Sequence, residues 1–342
     1  MENKEKKDIL ILGIESSCDE TSIAIVKNGR EILANVISSQ IDIHKIYGGV
    51  VPEIASRNHV KNIDVVLNEA LSKAHVTLED ITAISVTYGA GLSGALIVGV
   101  SYAKALAYSQ KKPLIAVNHI EGHISANYIA HKDLEPPFVC LIVSGGHTAL
   151  VKVESYIKRR LIGTTTDDAI GEAFDKVARE LGLPYPGGPS VQAQAEKGQA
   201  TIKFVNKPHE KMKDFNFSYS GLKTAVINYL NTHRQKGEEI NVPDICASFQ
   251  EEAILQVINK AIIACRNDKC KKLVLAGGVS ANKKLREICD IEGEKNGIEI
   301  FYPPLILCTD NAAMIASQGY YLYINGKGIA GTDLMPCPSL PL

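Results

Sequence analysis

The chain has 342 residues, with Lys+Arg 37 against Asp+Glu 38 and a formal net charge of -1. Hydrophobic residues make up 45% and charged residues 22%. That excludes a disordered chain, which needs low hydrophobicity with high net charge, and it excludes a strongly basic nucleic-acid coat, although a local basic patch stays open.

In chain order, residues 8–26 (DILILGIESSCDETSIAIV) read as a buried strand, a loop of small and polar residues, and a return strand with Ile23 and Ile25 inward. A long amphipathic helix is expected to begin at Pro52, since proline is favoured at the first helical position. Ile54, Val60, Ile63, Val66, Leu67, Ala70 and Leu71 then follow at helical spacing. Residues 81–106 read as strand, glycine loop, helix, and Leu114–Val117 as a short strand followed by a helix from His119. FVCLIVSGGHTALVKV, residues 138–153, repeats the opening design about 130 residues on. KLVLAGGVSANKKLREI, from Lys272, is again strand, glycine turn, helix. Strands alternating with helices give an α/β fold, and the repeated hairpin implies two related lobes. The length also suggests about two domains. No Pro/Ser-rich linker separates the lobes, which implies a shared cleft. Glycines at strand-to-helix junctions mark where such folds bind ligands.

No stretch approaches the roughly 20 uninterrupted apolar residues of a membrane span. The best one, from Gly94, is broken by Lys104. The N-terminus mixes its charges and is not read as a signal peptide, so the expected location is the cytoplasm. Eight cysteines without a CxxC pair read as reduced, small hydrophobes.

The sharpest chemical cluster is NHIEGH. His119 and His123 stand at i and i+4, so on a helix they share one face and can bind one metal. Alone, the pair also fits two packed or surface histidines. The likeness to HExxH is superficial, because Glu121 lies two residues from each histidine, about 200° round the helix, and faces away. The geometry therefore argues against a metalloprotease. A third ligand must come from elsewhere. Asp310, in CTDNAAMIA, sits at a strand-to-helix junction, where it also fits a simple helix N-cap.

Asp168, Glu172, Asp175 and Arg179 form a polar stripe opposite Ile170, Ala173, Phe174, Val177 and Leu181, directly before PYPGGP. The stripe fits a solvated face, or a ligand site in which Asp175 accepts from hydroxyls or an amine. SGGHT and AGGVSAN let main chain approach a ligand, with Asn282 just inside the following helix. No GxxxxGK[ST] P-loop exists. Lys158, Arg159 and Arg160, then Lys203, Lys207, Lys211 and Lys213, then Lys269, Lys271 and Lys272 are short basic patches, read as solvated faces or RNA contacts.

Taken together, GIESSCDETSIAIV, GGVVPEIASRNHV, VNHIEGH, LIVSGGHTALV, DDAIGEAFDKVARELGLPYPGGP, FSYSGLKTAV, LAGGVSAN and TDNAAMIA resemble the bacterial TsaD family, once described as glycoproteases. The resemblance runs in order over nearly the whole chain. It implies a two-lobed actin/hexokinase-like ATPase fold, with residues 8–130 plus 312–342 as the first lobe and 131–311 as the second. It implies transfer of threonylcarbamoyl from threonylcarbamoyl-AMP to N6 of adenosine 37 in tRNAs reading codons that begin with A. By position, His119, His123 and Asp310 match the family's metal ligands, with one Fe2+ per subunit expected and zinc as the alternative. Ile142, Val143, Ser144, Gly145 and Gly146 match its substrate loop, and Asp175, Gly188 and Asn282 its other ligand contacts. Where many relatives carry an aspartate after PYPGGP, this chain has Gln192. The implied partners are tRNA, TsaB and TsaE, with the donor supplied by TsaC and no membrane. No residue stands out as a general base. A small-molecule kinase on the same fold and a non-catalytic nucleotide-dependent scaffold are the rival readings.

Overall fold

A computed structural model describes residues 8–205 and 214–342. The opening hairpin forms as expected: β1 (Leu10–Glu15) and β2 (Glu20–Lys27) pair antiparallel, with Ile14 opposite Ile23. β3 (Glu31–Ser39) continues the meander on the outer side of β2. After the short α1 (Ile41–Lys45), α2 (Pro52–Ala74) has proline in its first turn and buries Ala55, His59, Ile63, Val66, Leu67 and Ala70. Val60, expected on that face, lies at the edge of the apolar arc and is exposed.

β4 (Ala83–Gly89), α3 (Ser93–Gln110), β5 (Leu114–Asn118) and α4 (His119–Ala130) complete the first run. β4 lies parallel to both β1 and β5. The Arg30 guanidinium donates to the carbonyls of Tyr128, His131, Lys132 and Leu134, which ties down the end of α4 and the chain beyond it.

The second run repeats the order. β6 (Phe138–Val143), β7 (Thr148–Ser155) and β8 (Lys158–Thr164) form an antiparallel meander. Four helices follow: α5 (Ile170–Glu180), α6 (Gly187–Ala195), α7 (Ser220–Lys236) and α8 (Val242–Asn267). β9 (Lys272–Ala276) lies parallel to β6, and β10 (Glu299–Phe301) parallel to β9, with α9 (Lys283–Asn296) between them. The chain closes with α10 (Leu305–Cys308), α11 (Ala312–Ile324) and β11 (Ile329–Ala330).

The two sheets run β11-β5-β4-β1-β2-β3 and β10-β9-β6-β7-β8. Apart from β11, they agree strand for strand in order and direction, which is the duplication that the two hairpins announced. Two compact units contain them. One holds the residues up to His44 with Val50–Glu135 and Thr309–Leu342; the other holds Lys45–Gly49 and Pro136–Cys308. Where the sequence drew the lobes at 130/131 and 311/312, these cuts fall at 135/136 and 308/309. The Arg30 clamp holds 131–134 with the first unit, and Asp310 falls in the unit that carries His119 and His123.

In that unit α11 lies against β1 at van der Waals range. A Cβ on Gly13 would stand 2.3 Å from the Ala312 carbonyl oxygen, so the close approach needs glycine. The Ala312 N–H donates to Ser22 Oγ, and Asn311 caps the helix by accepting from the Met314 N–H. Asp310 is thereby pinned one residue ahead of the cap of a buried helix start. No helix among the described residues is long and apolar enough to cross a membrane, and all eight cysteines are free.

Candidate functional site

The first unit carries the side-chain cluster. Asn118 caps α4 by accepting from the Ile120 N–H, so His119 opens the helix and His123 follows one turn later. Both histidines are buried, and their rings meet edge-on at 4.7 Å. Asp310 is not the helix cap that its position also allowed, because Asn311 takes that role. The Asp310 Oδ1 instead stands 3.4 Å from His119 Nε2 and 3.2 Å from His123 Nε2. One ligand atom from each of the three residues lies within 4.8 Å of the others.

These residues fit a metal. First-row ions take imidazole and carboxylate at about 2.0–2.2 Å, which sets ligand atoms roughly 3–3.5 Å apart. Buried polar atoms otherwise find partners, yet neither ring nitrogen of His123 makes a hydrogen bond; the contact of its Nε2 with Asp310 is an ion-pair distance only. Two imidazoles beside one carboxylate suit iron or zinc.

The electrostatics are those of a dense, mostly buried charge group. Burial alone would lower the His119 pKa, but the Asp310 and Glu15 carboxylates hold it well above the usual imidazole range. Burial likewise works to raise Asp310 and Glu15, and His119 outweighs it, holding both low. Glu20 is pushed up to about 10 by burial, with Asp310 and Asp19 nearby. Glu121 takes no part in the cluster: its Oε2 accepts from Gln318 Nε2 at 3.3 Å.

Sequence reading missed Glu15, Ser17 and Thr87. Glu15 is fully buried and touches His119, and Ser17 and Thr87 hold it. GIESS displays the carboxylate, but only the register of β1 on β4 shows that Thr87 stands beside it.

The second unit carries a main-chain cradle. Between β6 and β7 the loop closes on itself, the Ser144 N–H donating to the His147 carbonyl at 2.8 Å. The start of α5 braces that loop, with Gly171 N–H on the Ser144 carbonyl and Ile170 N–H on Thr148 Oγ1. The AGG turn after β9 closes the other side. Gly277 has φ +90, and a Cβ there would stand 2.5 Å from the Val143 carbonyl oxygen. By contrast, a Cβ on Gly145, Gly146, Gly188 or Gly278 would meet nothing within 4 Å. The loop tips face open space on a tightly held base.

The side chains expected to contact ligand here are largely occupied. Ile142 and Val143 are core residues of β6, which leaves only their main chain to offer a ligand. Asp175 Oδ1 accepts from the Gly187 N–H at 2.7 Å, and burial raises its pKa. Asn282, expected just inside the next helix, is instead its N-cap: it accepts from the Leu285 N–H and donates to Gln250 Oε1. A 3-10 turn, Gly278–Ala281, separates the glycines from α9. Gln192 Oε1 accepts from the Lys283 N–H, so the residue that replaces the expected aspartate anchors α9.

In the polar stripe, Asp168 lies 2.6 Å from both Lys176 and Lys223, and Asp167 holds Ser218 and the start of α7. Lys158 pairs with Glu154, and Arg160 with Asp268. Because β7 runs antiparallel to β6, this patch sits at the end of the sheet opposite the SGG loop. Lys207, Lys211 and Lys213 lie outside the described residues.

Solved structures with this architecture place the class. The chain matches T. kodakarensis HypF with a TM-score of 0.64 at 15% identity, over 96% of this chain and 49% of that one. It matches the Acidaminococcus fermentans (R)-2-hydroxyglutaryl-CoA dehydratase component A with a TM-score of 0.54 at 18% identity, over 93% and 98%. The fold is thus that of the actin/hexokinase-like ATPases, here with a His–His–Asp cluster. Residues 31–317 match the family described as TsaD: tRNA N6-adenosine threonylcarbamoyltransferase. A tRNA N6-adenosine threonylcarbamoyltransferase of Clostridium perfringens (strain SM101 / Type A) is 57% identical over 97% of this chain and 98% of its own length. One of Clostridium novyi (strain NT) is 54% identical over 98% of both. The chain belongs to the TsaD family.

Proposed function

We propose that the chain transfers threonylcarbamoyl from threonylcarbamoyl-AMP to N6 of adenosine 37 in tRNAs reading codons that begin with A. The observation that carries this is a family match over 31–317 together with a His–His–Asp group, its two histidines buried, in the same chain. The N6–carbamoyl bond forms, the bond from the carbamoyl carbon to the phosphate oxygen breaks, AMP leaves, and the N6 proton passes to solvent. The donor is already activated, so rate comes from positioning and no covalent nucleophile is needed.

His119, His123 and Asp310 would hold one Fe2+, with zinc as the alternative. Such an ion supplies Lewis acidity for the threonyl carboxylate or the carbamoyl oxygen. The main chain of Ile142 to Gly146, with Gly188, would hold the adenylate, and glycine tips with open space before them favour that role. Asp175 and Asn282 would contact the ligand through the hydrogen-bonding capacity that remains beyond the bonds Asp175 accepts from Gly187 and Asn282 accepts from Leu285 and donates to Gln250. The expected setting is the cytoplasm, in complex with TsaB and TsaE and with tRNA as substrate. A kinase on this fold has no use for the His–His–Asp group.

The test is to incubate the purified chain with TsaB, TsaE, tRNA, ATP and the donor, then to analyse tRNA nucleosides by mass spectrometry. Threonylcarbamoyladenosine at position 37 is expected. Nucleotide turnover with unmodified tRNA would instead favour a kinase.

A further inference from the structure

Glu15 ends β1 with no exposed surface, and three donors converge on its two oxygens. The Ser17 N–H donates to Oε1 at 2.5 Å, and the Thr87 hydroxyl donates to Oε2 at 2.6 Å. His119 Nδ1 lies 3.0 Å from the same Oε2, with Ser17 Oγ 3.1 Å away. The arrangement is built into the sheet: Ile14 pairs with Val86 in the parallel β1–β4 ladder, which sets Glu15 beside Thr87. The other nitrogen of the ring, Nε2, faces Asp310. His123 has no such support, since its Nδ1 is without a hydrogen-bond partner.

A carboxylate alone suits this spot. It is acceptor-only at both oxygens, whereas a glutamine there must turn an NH2 either onto the Ser17 N–H or onto His119 and Thr87. Metal-binding histidines characteristically donate their second N–H to such an outer acceptor, which fixes the tautomer and the ring plane. We propose that Glu15 is the positioning residue of the metal centre: it accepts the Nδ1–H of His119, so that Nε2 presents its lone pair to an ion shared with His123 and Asp310. Its charge, added to that of Asp310, makes a group of two carboxylates, two neutral imidazoles and one divalent ion electrically neutral. This rests on the reading that His119, His123 and Asp310 hold a metal.

The experiment uses the full chain with Zn2+ as a diamagnetic probe. Affinity is read by chelator competition, and the histidine rings by 15N–1H NMR. In the wild-type zinc form, His119 should show a protonated Nδ1 and a zinc-bound Nε2. Glu15→Gln should weaken zinc about 10- to 100-fold and shift or erase the Nδ1–H signal. Thr87→Val, which removes one donor and leaves the carboxylate, should weaken zinc clearly less than Glu15→Gln and keep the Nδ1–H signal. Zinc on Nδ1 of wild-type His119 overturns the proposal without need of any variant. So does equal weakening in Thr87→Val and Glu15→Gln, which would mean general loosening. A wild-type chain that takes up no zinc sinks the metal reading and this inference together. Uptake that is lost in His123→Ala yet unchanged in Glu15→Gln sinks the inference alone.

Discussion

The two units share a strand order and build their candidate sites from different material. In the first, the end of β1, the start of α4 and the residue ahead of the α11 cap present a cluster of polar side chains that hold one another: Glu15, His119, His123 and Asp310. In the second, the same hairpin turn presents glycine main chain, and the nearby polar side chains are spent on the fold, Asp175 on Gly187 and Asn282 on α9. A duplicated scaffold thus carries charge on one copy and backbone on the other. The charged copy should be sensitive to what a residue is, and the backbone copy to how much room it takes.

The largest effect expected from this contrast is in metal content. His119→Ala with His123→Ala should fall from one bound transition metal per chain to none, read by elemental analysis, because a lone carboxylate does not hold such an ion. Unchanged content would place the metal elsewhere.

The next concerns room. Gly277→Val forces a side chain against the Val143 carbonyl at positive φ, and should cost about 2–4 kcal/mol of stability. Gly145→Val, at a loop tip with nothing near its Cβ, should stay within about 0.5 kcal/mol while weakening adenine-nucleotide binding. Denaturant midpoints and calorimetry separate the two. A destabilised Gly145→Val would show that the tip is packed after all.

The pH response sharpens the charged side. In the metal-free chain His119 keeps its proton through neutrality, because Asp310 and Glu15 outweigh the burial that would expel it. An ion must displace that proton, so metal affinity should rise with pH, about tenfold per unit while one proton is released. Affinity that is flat between pH 6 and 8 would contradict the charge balance drawn here. The smallest effect belongs to Glu121→Gln, which alters a contact to Gln318 outside the cluster and should leave transfer nearly unchanged. Loss of activity there would give Glu121 a role in the chemistry.

Much of this was legible in the sequence, for identifiable reasons. Apolar runs ending in small residues gave both hairpins, and glycines at strand ends gave the turns. The i, i+4 spacing put His119 and His123 on one face. What stayed hidden depends on contacts far apart in sequence. Thr87 meets Glu15 only through strand register, and Asp310 reaches the histidines because α11 is seated on Gly13 and Ser22. Spacing could not tell that Asn282 would be spent as a cap, nor that Gln192 would hold the Lys283 N–H. Helical periodicity put Val60 on the buried arc, and its place at the edge of that arc left it in solvent.

The central claim is that the charged cluster holds the metal while the glycine cradle holds the adenylate. The most direct test titrates zinc and a non-hydrolysable threonylcarbamoyl-AMP analogue separately into Asp310→Ala and Gly145→Val, by calorimetry. Asp310→Ala should lose zinc and still bind the analogue, at an affinity reduced only by any contact between the analogue and the ion. Gly145→Val should bind zinc like the wild type and lose most of its affinity for the analogue. If Asp310→Ala binds zinc normally, or if Gly145→Val binds the analogue normally, this division between side chain and backbone is wrong.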